Sequence, residues 1–245
     1  MNSTAEITNA YYQTTAARSH EATLRYYEEN AAALLRRFRR WLPESKDANC
    51  LDLACGCGEF VFLLETLGYK NVAGVDLCEE ELIHGRKFVK APLFDADVLD
   101  FLRTSSTASL NFITALNFLE HVSKEKLLEI LRECSRVLRP GGTLVAMVPN
   151  AVSPFGSLTR HWDITHEWAF TTNNFRQLAT LCGFSPDVNF RECGPEPHGL
   201  VSAARFALWQ LVRAGIAMRL LVELGTTKDR IYTMDMLVKL RRASN

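Results

Sequence analysis

Asn49-Cys50-Leu51-Asp52-Leu53-Ala54-Cys55-Gly56-Cys57-Gly58-Glu59-Phe60 is the stretch that decides the fold. Cys50 to Ala54 is apolar except for Asp52, and it has the length of a buried parallel strand. The run breaks at Gly56 and Gly58, after which Phe60 to Leu67 carries a helical pattern. A strand, a glycine turn and a helix bring backbone N–H groups and a helix N-terminus to the carboxyl edge of a sheet, where open α/β sheets bind ligands. Glycine admits an approach that a Cβ would obstruct. The stretch reads as a cofactor loop. A dinucleotide fingerprint would place a third glycine where Val61 stands. Asp52 lies inside the first strand instead, and Asp76 closes the next, Val72 to Asp76.

These residues resemble the first two motifs of the class I S-adenosylmethionine-dependent methyltransferases. Asp52 to Gly58 follows that family's acidic-x-Gly-x-Gly-x-Gly pattern, with Ala54 in place of the first glycine, a departure that adds only a methyl group. The resemblance implies a Rossmann-like α/β fold, doubly wound, with a mostly parallel seven-stranded sheet. It implies S-adenosyl-L-methionine as cofactor and S-adenosyl-L-homocysteine as product. Carried over, it places Asp52, Ala54, Gly56 and Gly58 at the cofactor, Asp76 on the ribose hydroxyls with Leu77 beside it, Asp97 and Val98 by the adenine, and Asn117 at the next strand tip.

Composition agrees with one soluble domain of this kind: 245 residues, 47% hydrophobic and 23% charged. Lys plus Arg equals Asp plus Glu at 28 each, so no overall field favours nucleic acid or an anionic membrane. Seven irregularly spaced cysteines without a secretory signal predict reduced thiols and a cytoplasmic location. Cys55 and Cys57 lack histidine partners and read as small loop fillers.

Glu21 to Leu42 reads as a long helix with Leu34, Leu35, Phe38 and Trp41 as its apolar stripe. Arg36, Arg37, Arg39 and Arg40 interleave with that stripe; a solvated face at a helix C-terminus accounts for them better than RNA. In the resembling family such a segment covers the cofactor or substrate, which implies Tyr11, Tyr12 and His20 near the cleft. Residues 1–42 form this cover and 43–245 the cofactor-binding domain. Further strands are expected at Ala91 to Phe94, Leu110 to Leu116, Leu138 to Asn150, Phe184 to Cys193 and Ile231 to Leu240. Helices are expected at Glu79 to Val89, Ser123 to Leu138 and Thr171 to Cys182. The alternation implies right-handed parallel crossovers.

The acceptor is read from the later strand ends. Asn117-Phe118-Leu119-Glu120-His121 lacks the Asn/Asp-Pro-Pro-aromatic motif of nucleic-acid amino methylases and resembles the Glu-His pair of small-molecule O-methyltransferases. Arg160 to Thr171, following the Pro149 to Ser157 loop and expected to be neither strand nor helix, holds two histidines, two carboxylates, an arginine and two tryptophans within nine residues. It resembles a segment of methyltransferases from polysaccharide and sugar-tailoring pathways, matching at Arg160, Asp163, His166 and Glu167, with His161 and Trp162 replacing a Tyr-Gly pair. The resemblance implies His166, His121 and Asp163 as catalytic residues; His166 is the favoured base because Asp163 and Glu167 stand near it in the sequence and are expected to orient its ring. Arg160, His161, Trp162, Glu167, Tyr11 and Tyr12 would bind substrate, a saccharide or a glycosylated or lipid-linked metabolite. A quinone, polyketide or amine acceptor, or a binding protein retaining the fold, stays open. So does a capping loop with internal salt bridges. Glu120, His121, Asp163 and His166 also form a conceivable divalent-ion set, which class I chemistry does not require and the reading does not favour.

Leu200 to Leu224 is apolar with interspersed arginines, an insertion of about residues 198–226 before the last strand. Packing in the core or against a second copy is preferred over a peripheral membrane contact.

Overall fold

A computed structural model describes residues 23–227 and 231–244. The decisive stretch forms β1 (Asn49–Leu53) and α2 (Glu59–Thr66), preceded by α1 (Leu24–Phe38). Then follow β2 (Asn71–Asp76), α3 (Glu79–Gly85), β3 (Leu93–Asp95), α4 (Val98–Thr104) and β4 (Leu110–Leu116). A 3₁₀ turn (Leu119–His121) leads to α5 (Lys124–Val137), β5 (Leu138–Pro149), a one-turn α6 (Gly156–Arg160) and α7 (Thr172–Leu181). β6 (Asn189–Glu192), α8 (Leu200–Leu224) and β7 (Asp235–Arg241) complete the order. The seven strands run β3-β2-β1-β4-β5-β7-β6, all parallel except β7, which is antiparallel to both neighbours. This is the doubly wound sheet that the glycine loop predicted.

Strand alternation divides the core between two faces. Leu51, Leu53, Ile113, Ala115, Leu144 and Ala146 belong to one buried cluster with α4, α5 and α7. Cys50, Phe112, Val145 and Met147 belong to the other, with α1, α2 and α3. Local caps set the helix starts: Ser123 accepts from the Lys126 N–H, and Thr171 forms a reciprocal box with Asn174.

Several boundaries depart from expectation for identifiable reasons. α3 ends at Gly85, not Val89; a Cβ there would lie 2.5 Å from the Cys57 carbonyl oxygen, so glycine is what lets the helix meet the loop. The expected strand from Phe184 shrinks to Asn189–Glu192 plus a single bridge at Phe184, because Pro186 lacks an N–H for the ladder. β7 starts at Asp235, not Ile231, because the carbonyls of Ile231 and Thr233 turn to the Asn150 side chain. Arg160 closes α6 and is therefore helical, contrary to the irregular segment expected.

In α1, Tyr27, Ala31 and Phe38 are the buried residues, while Leu34, Leu35 and Trp41 pack at the margin. Arg39 and Arg40 face solvent, but Arg37 is half-buried, its guanidinium 3.5 Å from the Met147 sulfur and its carbonyl accepting from Arg191. α8 overturns the core-packing expectation: Ser202 is its one buried residue, and Leu200, Leu208, Leu211 and Val222 are exposed. Its attachment runs through an Arg213–Glu192 ion pair of 3.0 Å and Trp209 beside Gly194. Among the described residues, no helix is long and apolar enough to cross a membrane. Tyr11, Tyr12 and His20 lie outside the described residues.

Candidate active site

The tips of β1, β2 and β4 converge on the glycine loop. Gly56 and Gly58 adopt left-handed conformations, and so do Ala54 and Asn117, non-glycine residues at the ends of β1 and β4. Asp76 holds the loop in place: one carboxylate oxygen accepts from the Gly56 N–H and the other from Cys78, each at 2.8 Å. Asp52 is buried on β1 and accepts the Thr114 hydroxyl at 2.6 Å. Leu77 is exposed beside Asp76, whereas the Val98 side chain is buried in the core and leaves only its backbone for the edge. Asp97 caps α4 through the Leu99 N–H and pairs with Lys126 at 2.7 Å. Burial works against its charge, but Lys126 and the cap outweigh it and hold the carboxyl below its ordinary range.

Sequence reading missed two contributors here. Glu81 on α3 is buried with its Oε2 3.0 Å from where a Gly56 Cβ would sit, so a side chain at Gly56 would crowd that carboxylate in addition to straining the left-handed backbone. The acidic opening of α3, Glu79-Glu80-Glu81, was the available signal. Tyr27 donates to the Cys57 carbonyl at 2.6 Å, fastening α1 to the loop. The lining is acidic: burial pushes Asp52 and Glu81 up to about 7 and also raises Asp76 and Glu59. Such a cleft suits a cationic ligand, and a sulfonium bearing an ammonium group is one.

Beyond β4, the Glu120-His121 pair meets the loop that follows α6. The His121 and His166 rings stand 4.7 Å apart, edge to face. Thr165 donates its hydroxyl to Asp163 at 2.7 Å and therefore accepts from His121 Nδ1 at 2.6 Å. His166 Nδ1 lies 2.8 Å from the Thr159 carbonyl, which only accepts, so Nδ1 carries the proton and a neutral ring keeps its lone pair on Nε2. The expected orienting of His166 by Asp163 and Glu167 is thus corrected: a backbone carbonyl does that work, and Asp163 acts through Thr165 on His121. Burial, helped by His166, pushes His121 down to about 4 despite Asp163 and the Asn117 carbonyl. The Thr165 N–H and hydroxyl and the two imidazoles overcome burial and keep Asp163 below its usual range. Glu120 is 1% exposed and pushed up to about 8 by burial. Asp235, at the start of β7, faces this group too, and nothing in its sequence context marked it.

Arg160 donates to the His166 carbonyl, and with Gly156, His161, Glu167, Trp168 and Ala169 it lines an open groove. Trp168 is an anchor, donating to the Val122 carbonyl and stacking on Phe170, while Trp162 projects 76% exposed.

A family model described as a methyltransferase domain matches residues 23–189. The chain belongs to that family. It shares its fold with a solved S-adenosylmethionine-dependent methyltransferase of Archaeoglobus fulgidus (TM-score 0.65, 19% identity, covering 90% of this chain and 100% of that one). It is 34% identical over 115 residues to a ubiquinone/menaquinone biosynthesis C-methyltransferase of Roseobacter denitrificans, covering 44% of each chain. It is 29% identical over 122 residues to the 27-O-demethylrifamycin SV methyltransferase of Amycolatopsis mediterranei, covering 48% of this chain and 44% of that one. The chain thus spans less than half the length of these curated relatives. The family is thus that of methyltransferase domains, and the fold is shared with a solved S-adenosylmethionine-dependent methyltransferase.

Proposed function

We propose that the protein transfers the S-adenosylmethionine methyl group to a hydroxyl of a small acceptor. The observation that carries this reading is the fixed pair His121–His166 beyond β4, with both Nδ1 atoms committed to acceptors and a lone pair at His166 Nε2. The hydroxyl oxygen attacks the methyl carbon in line, the C–S electrons return to sulfur, and the hydroxyl proton passes to the imidazole. Most of the rate enhancement comes from positioning, with proton removal supplying about a hundred- to ten-thousandfold. Cofactor contacts are assigned to the glycine loop, Asp52, Asp76 and the residues at Asp97 and Asn117.

The polar groove of Arg160, His161 and Glu167 favours an acceptor carrying a saccharide. The relatives named for quinone and rifamycin methylation favour a second reading, a quinone or polyketide hydroxyl. Product mass spectrometry with a nucleotide-sugar panel and a quinol and polyketide panel separates the two. The base is tested by single-turnover methyl transfer across pH at saturating cofactor. His166→Ala is expected to lose about a hundredfold or more and to flatten the pH profile. A near-wild-type rate with an unchanged profile makes His166 a loop anchor and moves the base to His121.

A further inference from the structure

The buried Glu120 carboxyl accepts from its own backbone N–H but is not satisfied by it. Its Oε2 is buried and has no hydrogen-bond partner among the described residues. A buried polar atom left alone is costly. Its ligand oxygen, a ring nitrogen of His121 and one of His166 all lie within 4.8 Å of one another. We infer that Glu120, His121 and His166 bind a divalent transition-metal ion. The inference deepens the reading above, on which its chemical use but not the binding rests.

The donor set is two imidazoles and one carboxylate, which suits ions of the zinc, cobalt, manganese or iron(II) type. Bonds of about 2.0–2.2 Å put ligand atoms roughly 3.4 Å apart in a tetrahedral site, so closure needs side-chain shifts on the order of 1 Å. The surroundings are those of metal ligands. His166 donates Nδ1–H to the Thr159 carbonyl, and His121 donates to Thr165, which Asp163 holds in turn. Partners of this kind fix ring orientation and make the nitrogen a better donor. Three protein ligands leave at least one position open for an oxygen of water or of the acceptor. A hydroxyl bound there would lose its proton more readily, to water and not to His166, whose lone pair the ion would occupy.

The test titrates the chelator-treated full-length protein with Zn²⁺, Mn²⁺ and Co²⁺, following heat, melting temperature and the visible Co²⁺ bands. One equivalent per chain and a raised melting temperature are expected. Glu120→Gln and His166→Ala should each weaken binding more than about a hundredfold, and Thr165→Val about ten- to a hundredfold. Metal-free Glu120→Gln should melt no lower than wild type and keep its S-adenosylmethionine affinity, which separates loss of the site from loss of the fold. No stoichiometric binding by wild type overturns the inference. So does an undiminished equivalent in both ligand variants, which would put the ion elsewhere, for instance on the Cys57 and Cys78 thiols. Methyl transfer without metal binding leaves the proposed function standing and removes the ion; metal binding without methyl transfer to any acceptor does the reverse.

Discussion

Ala54 is where a single atom matters most. The sequence reading treats its methyl group as harmless, yet φ is +51°, a conformation that costs an L-residue about 1–2 kcal/mol. Glycine would lose about 0.5–1 kcal/mol through backbone entropy, so Ala54→Gly is expected to stabilise by up to about 1 kcal/mol. A thermal melt should rise by about 2–4 °C per kcal/mol for a chain of this size, with cofactor affinity kept. Asp76→Ala should cost about 1.5–3 kcal/mol of cofactor affinity by calorimetry, since it removes the acceptor of the Gly56 and Cys78 N–H groups and the carboxylate assigned to the ribose in the proposed function. Unchanged affinity would discard the assignment. Asp52 and Glu81 titrate near 7 and must ionise to face a cation. S-adenosylmethionine binding should therefore release protons and tighten from pH 6 to pH 8. S-adenosylhomocysteine, without the sulfonium charge, should vary less, and Glu81→Gln should flatten the difference. Asp52 and Asp76 were legible because strand position and glycine spacing mark them. Glu81 was not, because only packing of α3 against the loop turns one of three consecutive acids inward.

At the scale of elements, the parallel strands were legible because buried runs bounded by glycine and acidic residues have one reading. The ends that failed, at β6 and β7, are where side-chain amides and proline divert the ladder. α8 failed for a different reason: an apolar helix with spaced arginines has the same pattern whether the core or another surface covers it. Its exposure bears on what the segment does. Leu211→Glu with Val222→Glu should leave melting temperature and cofactor affinity unchanged while reducing vesicle association or self-association in sedimentation. A large loss of stability would mean that α8 packs against this chain after all. In α1, the sequence directed attention to arginines and to Tyr11 and Tyr12, whereas Tyr27 makes the contact with the loop. Tyr27→Phe should cost about 0.5–1.5 kcal/mol and weaken the cofactor along with α1 docking, read by calorimetry and hydrogen exchange.

For the molecule as a whole, Asp52, Glu81 and Glu120 all have folded-state affinities for protons raised above their ordinary values of 3.8 and 4.5. Stability from such groups is fully present below those ordinary values and is lost as pH rises through about 7–8. The free protein should therefore melt lower at pH 8.5 than at pH 6, and a bound cation should restore part of the difference. A melting temperature that climbs over this interval would contradict the burial of these three carboxyls. The sheet order has a consequence during synthesis. β7 lies between β5 and β6 yet follows both in the chain, so each waits for it with an open edge. Roughly 90 residues separate the end of β5 from the start of β7, on the order of 5–20 s of translation. Through that delay the Thr143–Pro149 flank of β5 is an apolar, unpaired ribbon on the nascent chain, a site for chaperone capture and the first place where a stalled ribosome would leave an aggregating fragment.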